Sequence, residues 1–210
     1  MSADFRPVGD GALLVDFGGG IDEAVFARVV ALDRALVESP PAGLVEAVPA
    51  YTSLLLVFDV TETDHAGMAA AVAPHLAAQP GFPEVSVHDV PVRYDGADLP
   101  AAAKRLGLTP AEVVAGHLAG DYRVFMYGFA PGYAYLGGVP ERLHLPRKAT
   151  AVRGHPVGSV MIAGAQCLIT TLPMPTGWWV IGHTDFPVRD PEAAEPFRFA
   201  SGDRVRFLPA

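Results

Sequence analysis

A chain of 210 residues with 50% apolar and 18% charged side chains, and a mean hydropathy of +0.28, has ample material for a buried core, which excludes an intrinsically disordered protein. A formal charge of −8 and a pI near 5.2 exclude nucleic acid as the main partner, because an acidic surface repels the phosphate backbone. The lone cysteine, Cys167, cannot form an internal disulfide; the chain opens on no secretory leader and contains no apolar run of about 18 residues free of turn formers, so a cytoplasmic protein that does not span a membrane is expected.

Residues 11–17 are apolar at Leu13, Val15 and Phe17 and end in three glycines, which predicts a strand. Asp22 then opens a helix whose apolar residues Val25, Phe26, Val29, Val30, Leu32 and Leu36 recur at helical spacing, until Pro40 and Pro41 stop it. Residues 44–48 and 51–60 are two strands across a short connection. Asp64 starts an alanine-rich helix to about residue 79, bent at Pro74. Residues 84–88 form a further strand. The expected order is βαββαβ, a ferredoxin-like α+β domain over residues 1–89.

Beyond Pro91 the composition changes. Residues 98–106 read as a helix closed by Gly107, and Thr109-Pro110-Ala111-Glu112 is a capping box with proline at the first helical position, so a helix through His117 follows. The remainder is short strands at 122–127, 159–163, 167–171, 178–181 and 204–208. The 22 glycines and 20 prolines lie mostly in this half, and their spacing predicts a mainly-β barrel or sandwich over residues 90–210.

Two segments could carry chemistry. From Phe125 to Gly138, four glycines and five aromatics interleave; glycine lets the backbone approach a ligand, and rings such as Phe129, Tyr133 and Tyr135, set beside Pro131 and Gly132, supply flat walls. The plainer alternative is a tight loop packed by its own rings. Next comes a basic cluster of Arg142, Arg147, Lys148 and Arg153, in which Arg147 and Arg153 offer planar forks for a carboxylate or phosphate, against the alternative of a solvated basic loop. His117 ends its helix, where a cation suits the dipole. Cys167 reads as a buried small apolar residue. Of the adjacent Trp178 and Trp179, one belongs to the core and the other faces a cleft. Neither phosphate-loop signature occurs, Ser159 lacks a nucleophile-elbow setting, and the seven histidines have no metal-ligand spacing.

Several spaced motifs resemble the family of the 5-oxoprolinase B subunit and the Kip kinase inhibitor, also labelled allophanate hydrolase subunit 1 and similar to part of the carboxyltransferase region of urea carboxylase. They are Val90-Pro91-Val92-Arg93-Tyr94, Gly128-Phe129-Ala130-Pro131-Gly132-Tyr133-Ala134-Tyr135-Leu136, Pro146-Arg147-Lys148, Gly158-Ser159-Val160-Met161-Ile162-Ala163-Gly164 and Gly177-Trp178-Trp179-Val180-Ile181-Gly182. The resemblance implies an α+β domain followed by a cyclophilin-like barrel. It also implies partner subunits A and C, and ATP bound in the assembled complex, for opening 5-oxoproline to glutamate. On that view Arg147 and Arg153 bind substrate or phosphate anions, His117 orients or shuttles a proton, and Lys148 and Gln166 assist binding. Phe129, Pro131, Gly132, Tyr133 and Tyr135 wall a pocket for a small anionic amide. His183-Thr184-Asp185 stands where Arg-Thr-Pro is usual, so one family arginine is absent. The resemblance leaves two other roles open: inhibition of a sensor histidine kinase, and a component like those of allophanate hydrolase or urea carboxylase.

Overall fold

In the computed structural model, which describes residues 3–77, 85–194 and 196–210, Asp22 caps the first helix by accepting the N–H groups of Ala24 at 2.8 Å and Val25 at 3.1 Å. That helix, α1 (Glu23–Glu38), buries Phe26, Val29, Val30, Leu32 and Leu36 along one stripe. Asp64 caps α2 (His65–Val72) through the N–H of Gly67. The helix is shorter than its alanine content suggests. From Ala73 the chain tightens into a 3-10 turn, Ala73–Ala77, because the Pro74 ring has no N–H to continue the ladder; the expected continuation past residue 77 lies outside the described residues.

The first of two units, Met1–Glu84, has a sheet of β1 (Asp4–Val8), β2 (Ala12–Asp16), β3 (Leu44–Pro49) and β4 (Ser53–Phe58) in the order β1-β2-β4-β3. Every neighbouring pair is antiparallel. Strands β2 and β3 therefore run in the same direction with β4 between them, joined through α1, which is the split βαβ arrangement. The ferredoxin-like order βαββαβ is corrected to ββαββα. The edge place beside β2 is taken by β1, a mostly exposed strand whose sequence shows no apolar alternation.

The strand expected to complete that unit belongs to the second, Val85–Ala210. There β5 (Val87–Val92) pairs in parallel with β11 (Arg204–Pro209), because Val90 and Val92 are wanted inside the barrel, where both are fully buried. The other elements are α3 (Leu99–Leu106), α4 (Pro110–Leu118), β6 (Tyr122–Tyr127), β7 (Ala134–Gly137), β8 (Ser159–Ala163), β9 (Gln166–Ile169) and β10 (Trp179–His183). The capping box forms as the sequence predicts: Thr109 and Glu112 each bond the other's backbone N–H. Strand β7 lies within the glycine-aromatic segment and is the one strand of this unit without a sequence signal of its own.

The sheet order β10-β8-β9-β7-β6-β11-β5 brings its two edges together. Arg93, just past β5, and His183 of β10 exchange both backbone hydrogen bonds, at 2.8 and 2.7 Å, so the seven strands wrap into a nearly closed barrel. Inward residues Val124, Leu136, Val160, Ile162, Ile169, Ile181, Val205 and Phe207 fill it. The outward residues of β8 to β10 are covered as well. Met161, Ala163, Leu168 and Val180 form a second cluster with Tyr133 and Trp178, so this part of the sheet is buried on both faces.

Candidate functional site

That second cluster is the floor of a cavity of about 250 Å³ on the outside of the barrel. Met161 and Leu168 lie at its base, and Phe129, Tyr133, Tyr135 and Trp178 form its walls. Arg147 is the one charged side chain on its lining. The loop bearing it is tied to the neighbouring segment: Lys148 N–H donates to Gly177 O at 2.7 Å, and Val152 and Thr176 exchange backbone bonds.

The guanidinium of Arg147 stands over the ring of Trp178, 5.5 Å from its centroid, a cation–π contact. It makes no hydrogen bond or ion pair among the described residues. Trp178 is held in turn. Its backbone N–H donates to Thr176 Oγ1 at 3.0 Å, and Tyr135 meets its ring edge-on with centroids 6.0 Å apart. The result is one guanidinium fork on the lining of a mainly apolar and aromatic cavity, suited to a small molecule carrying a carboxylate.

The loop that supplies Phe129 and Tyr133 is closed on itself. Gly128 N–H donates to Tyr133 O, Ala130 N–H to Gly128 O and Tyr133 N–H to Ala130 O, and Thr171 Oγ1 donates to Pro131 O at 2.6 Å. Phe129 takes a left-handed backbone conformation, φ 70°, which bulky side chains disfavour.

Of the residues singled out from sequence, Arg147, Phe129, Tyr133 and Tyr135 meet at this cavity. Pro131 and Gly132 lie one step away, lining a more open cavity of about 450 Å³ that shares Phe129. The remaining four are placed elsewhere. Lys148 turns to the part-buried carboxylate of Asp98, 2.7 Å from its Nζ, because Asp98 also accepts the Val180 N–H and needs a counter-charge. Arg153 is exposed on the loop beyond, outside the cavity lining. Gln166 sits at the start of β9, opposite Gly137 and Ala163, and is also off the lining.

His117 is fully buried inside the barrel. Its Nδ1 is 2.8 Å from the Tyr94 hydroxyl, its Nε2 lies 3.5 Å from Cys167 Sγ, and its ring packs on Tyr122 and Phe207. A proton shuttle needs access to its reactants, and the apolar packing that closes off this imidazole removes it. Burial pulls its pKa down to about 3 and pushes the Cys167 thiol up, so both are neutral at pH 7. In the unfolded chain the imidazole titrates near 6.5, whereas the folded one stays unprotonated to about 3. The unfolded state therefore binds the extra proton, and stability falls as pH drops through this window, by up to about 1.4 kcal/mol per pH unit. Urea unfolding at pH 7 and pH 5 tests this: His117→Asn, although less stable overall, is expected to lose less between the two pH values than the wild type. Equal losses would refute it.

Met161 and Leu168 carry no sequence signal that marks them as cavity residues, and of the tryptophan pair it is Trp178 that lines the cavity. Period-two alternation along β8 and β9 places Met161 and Leu168 opposite the core residues, but only the covering loops make that face a cavity. Trp179 is the partner that packs on the barrel core, with its Nε1 donating to Pro146 O at 2.8 Å. Among the described residues no group of three or more His, Cys, Asp or Glu could hold a metal ion, and no helix is long and apolar enough to cross a membrane.

The family model described as carboxyltransferase domain, subdomain C and D matches residues 3–199. The chain is 35% identical over 216 residues to the 5-oxoprolinase B subunit of Bacillus subtilis (strain 168), covering 96% of this chain and 90% of that one. It is 34% identical over 210 residues to the protein of the same name from Escherichia coli O157:H7, covering 96% and 94%. Among solved structures, the crystal structure of TTHA0988 superposes with a TM-score of 0.86 at 39% identity; the match covers 96% of this chain but spans 40% of that one.

Proposed function

This chain belongs to the carboxyltransferase domain, subdomain C and D, family, and on that premise we propose that it is the B subunit of an ATP-dependent 5-oxoprolinase. The observation that carries this reading is the match, over nearly the full length of both chains, to two proteins that bear the name. The cavity supports it. 5-Oxoproline is a small five-membered cyclic amide with one carboxylate, which suits a cavity walled by Tyr133, Tyr135 and Trp178 with the Arg147 fork on its lining.

An amide carbonyl is a poor electrophile because resonance stabilises it. Transfer of the ATP γ-phosphoryl group to the amide oxygen makes the carbon susceptible to water, and ring opening then yields glutamate, ADP and phosphate. This chain carries no phosphate-loop signature, so ATP is assigned to the assembled complex with subunits A and C. In this reading the barrel is cyclophilin-like, and the first unit is a ferredoxin-like sheet whose edge strand comes from the N-terminal side. A lone cysteine buried in the core suits the reducing cytoplasm.

The test is reconstitution with subunits A and C. ADP release that depends on 5-oxoproline is expected, and its absence from a verified complex would refute the reading. Suppression of a sensor kinase's autophosphorylation by this chain alone, without such turnover, would replace it with the kinase-inhibitor alternative.

A further inference from the structure

We propose that the loop Gly128–Tyr133 together with Phe197 forms the docking surface for a second polypeptide, the counterpart of that part of the TTHA0988 chain which lies outside the match. The proposal rests on the functional reading above and adds to it where the partner binds.

Phe129 is 73% exposed and Phe197 42% exposed, and they flank the open cavity of about 450 Å³. Phe129 is also the non-glycine residue with positive φ among the described residues. A bulky side chain persists in that conformation when its surroundings over-determine it, and here the loop's internal bonds and the Thr171 hydroxyl do so. The fold thus holds the backbone of Phe129 in a costly conformation that leaves a large apolar ring in water, which solvation alone would not select. An exposed aromatic beside a concavity is the form that interface anchors take.

The apolar patch has charged neighbours. Arg189, whose Cβ lies against Gly132, and Arg198, next to Phe197, are both exposed, and neither guanidinium has a partner among the described residues. Asp190 and Glu192 lie in the same segment, so the border of the apolar centre carries both signs of charge. It fits a partner surface with a pocket for an aromatic ring and a polar rim that places carboxylates against Arg189 and Arg198.

Chain lengths identify the occupant. In TTHA0988 the same fold makes up 40% of a longer chain, whereas the two 5-oxoprolinase relatives are matched over 90% and 94% of their lengths. In this proposal, what the longer chain carries within itself is supplied to this surface by a second polypeptide. Phe129 lines both this patch and the Arg147 cavity, so a partner seated here would also complete the wall of that cavity.

The experiment is co-expression of this chain with the polypeptide from its own source that aligns with the unmatched part of TTHA0988, with affinity measured by calorimetry. A one-to-one complex is expected. Phe129→Gly should weaken it at least tenfold while raising the melting temperature, because glycine accepts φ 70° without a Cβ. The double variant Arg189→Glu, Arg198→Glu leaves the core untouched and should weaken the complex, most strongly at low salt. Unchanged affinity in both variants would overturn the proposal. So would failure of the wild-type chain to bind, or a self-dimer of this chain that Phe129→Gly dissolves. Arg147→Ala separates the two readings, since it should keep the affinity and lose turnover. A complex that forms through the patch without 5-oxoproline-dependent turnover sinks the functional reading alone; turnover in a complex indifferent to the patch sinks this inference alone.

Discussion

Arg147→Ala is expected to lower kcat/KM for 5-oxoproline roughly 10²- to 10³-fold in the assembled enzyme, with little change in stability. Among the described residues the guanidinium has no hydrogen bond to lose, and its side chain is exposed, so removal should change folding by no more than about 0.5 kcal/mol. Its contribution lies in the N–H fork on the cavity lining, over the Trp178 ring. Two charge-assisted hydrogen bonds to a carboxylate, at roughly 1.5–3 kcal/mol each and not fully additive, correspond to about 3–4 kcal/mol of lost stabilisation. Arg147→Lys separates charge from geometry. It keeps the cation but not the paired N–H groups, so an intermediate loss of about tenfold is expected. Steady-state ADP release across 5-oxoproline concentrations reads both variants. Wild-type kinetics in Arg147→Ala would show that the cavity is not the substrate site.

Gly96→Ala should destabilise the second unit by about 3 kcal/mol or more, the largest effect expected of any single-methyl change at the barrel seam. A Cβ at residue 96 would lie closer than 3.0 Å to backbone atoms of Val180, Ile181 and Gly182, and backbone cannot rotate away as a side-chain tip can. The bonds at stake close the barrel: Gly96 N–H to Ile181 O, Asp98 N–H to Val180 O, and the Arg93–His183 exchange beside them. The same stretch presents Asp98 to Lys148 and Val180. Gly107→Ala is the control. That glycine sits at φ 70° with nothing within 4 Å of a Cβ, so its substitution carries the left-handed cost alone, about 1–2 kcal/mol. Urea midpoints of the two variants should differ in that order. Equal midpoints would show that the seam yields.

Local chemistry in the sequence marks several elements directly. Asp22, Asp64 and the Thr109–Glu112 box each announce a helix start within four residues, and each forms. The apolar runs of β8 and β9 mark strands, while which of their residues point inward is decided by the folded sheet, which buries both faces. What failed did so for nonlocal reasons. The strand expected at residues 84–88 forms at Val87–Val92, and nothing within it says that the partner is β11, more than a hundred residues later. Strand β1 is mostly exposed and forms because β2 leaves an edge to pair.

The candidate site divides in the same way. Side-chain types alone point to cations and rings in two neighbouring segments, since forks and flat faces are properties of single residues. Which of them converge is decided by the folded barrel. Arg147 remains available because its loop lies against the Thr176–Trp178 segment, while Lys148, one residue on, is taken by Asp98 fifty residues away. His117 has the composition of a catalytic residue and the location of a core residue, and burial follows from how α4, β9 and β11 pack. Helix caps and strand alternation are written in short-range sequence because they act through bonds a few residues long. Burial, ion-pair partners and the choice between Trp178 and Trp179 depend on residues brought together from far along the chain, and those are set only when the sheet closes.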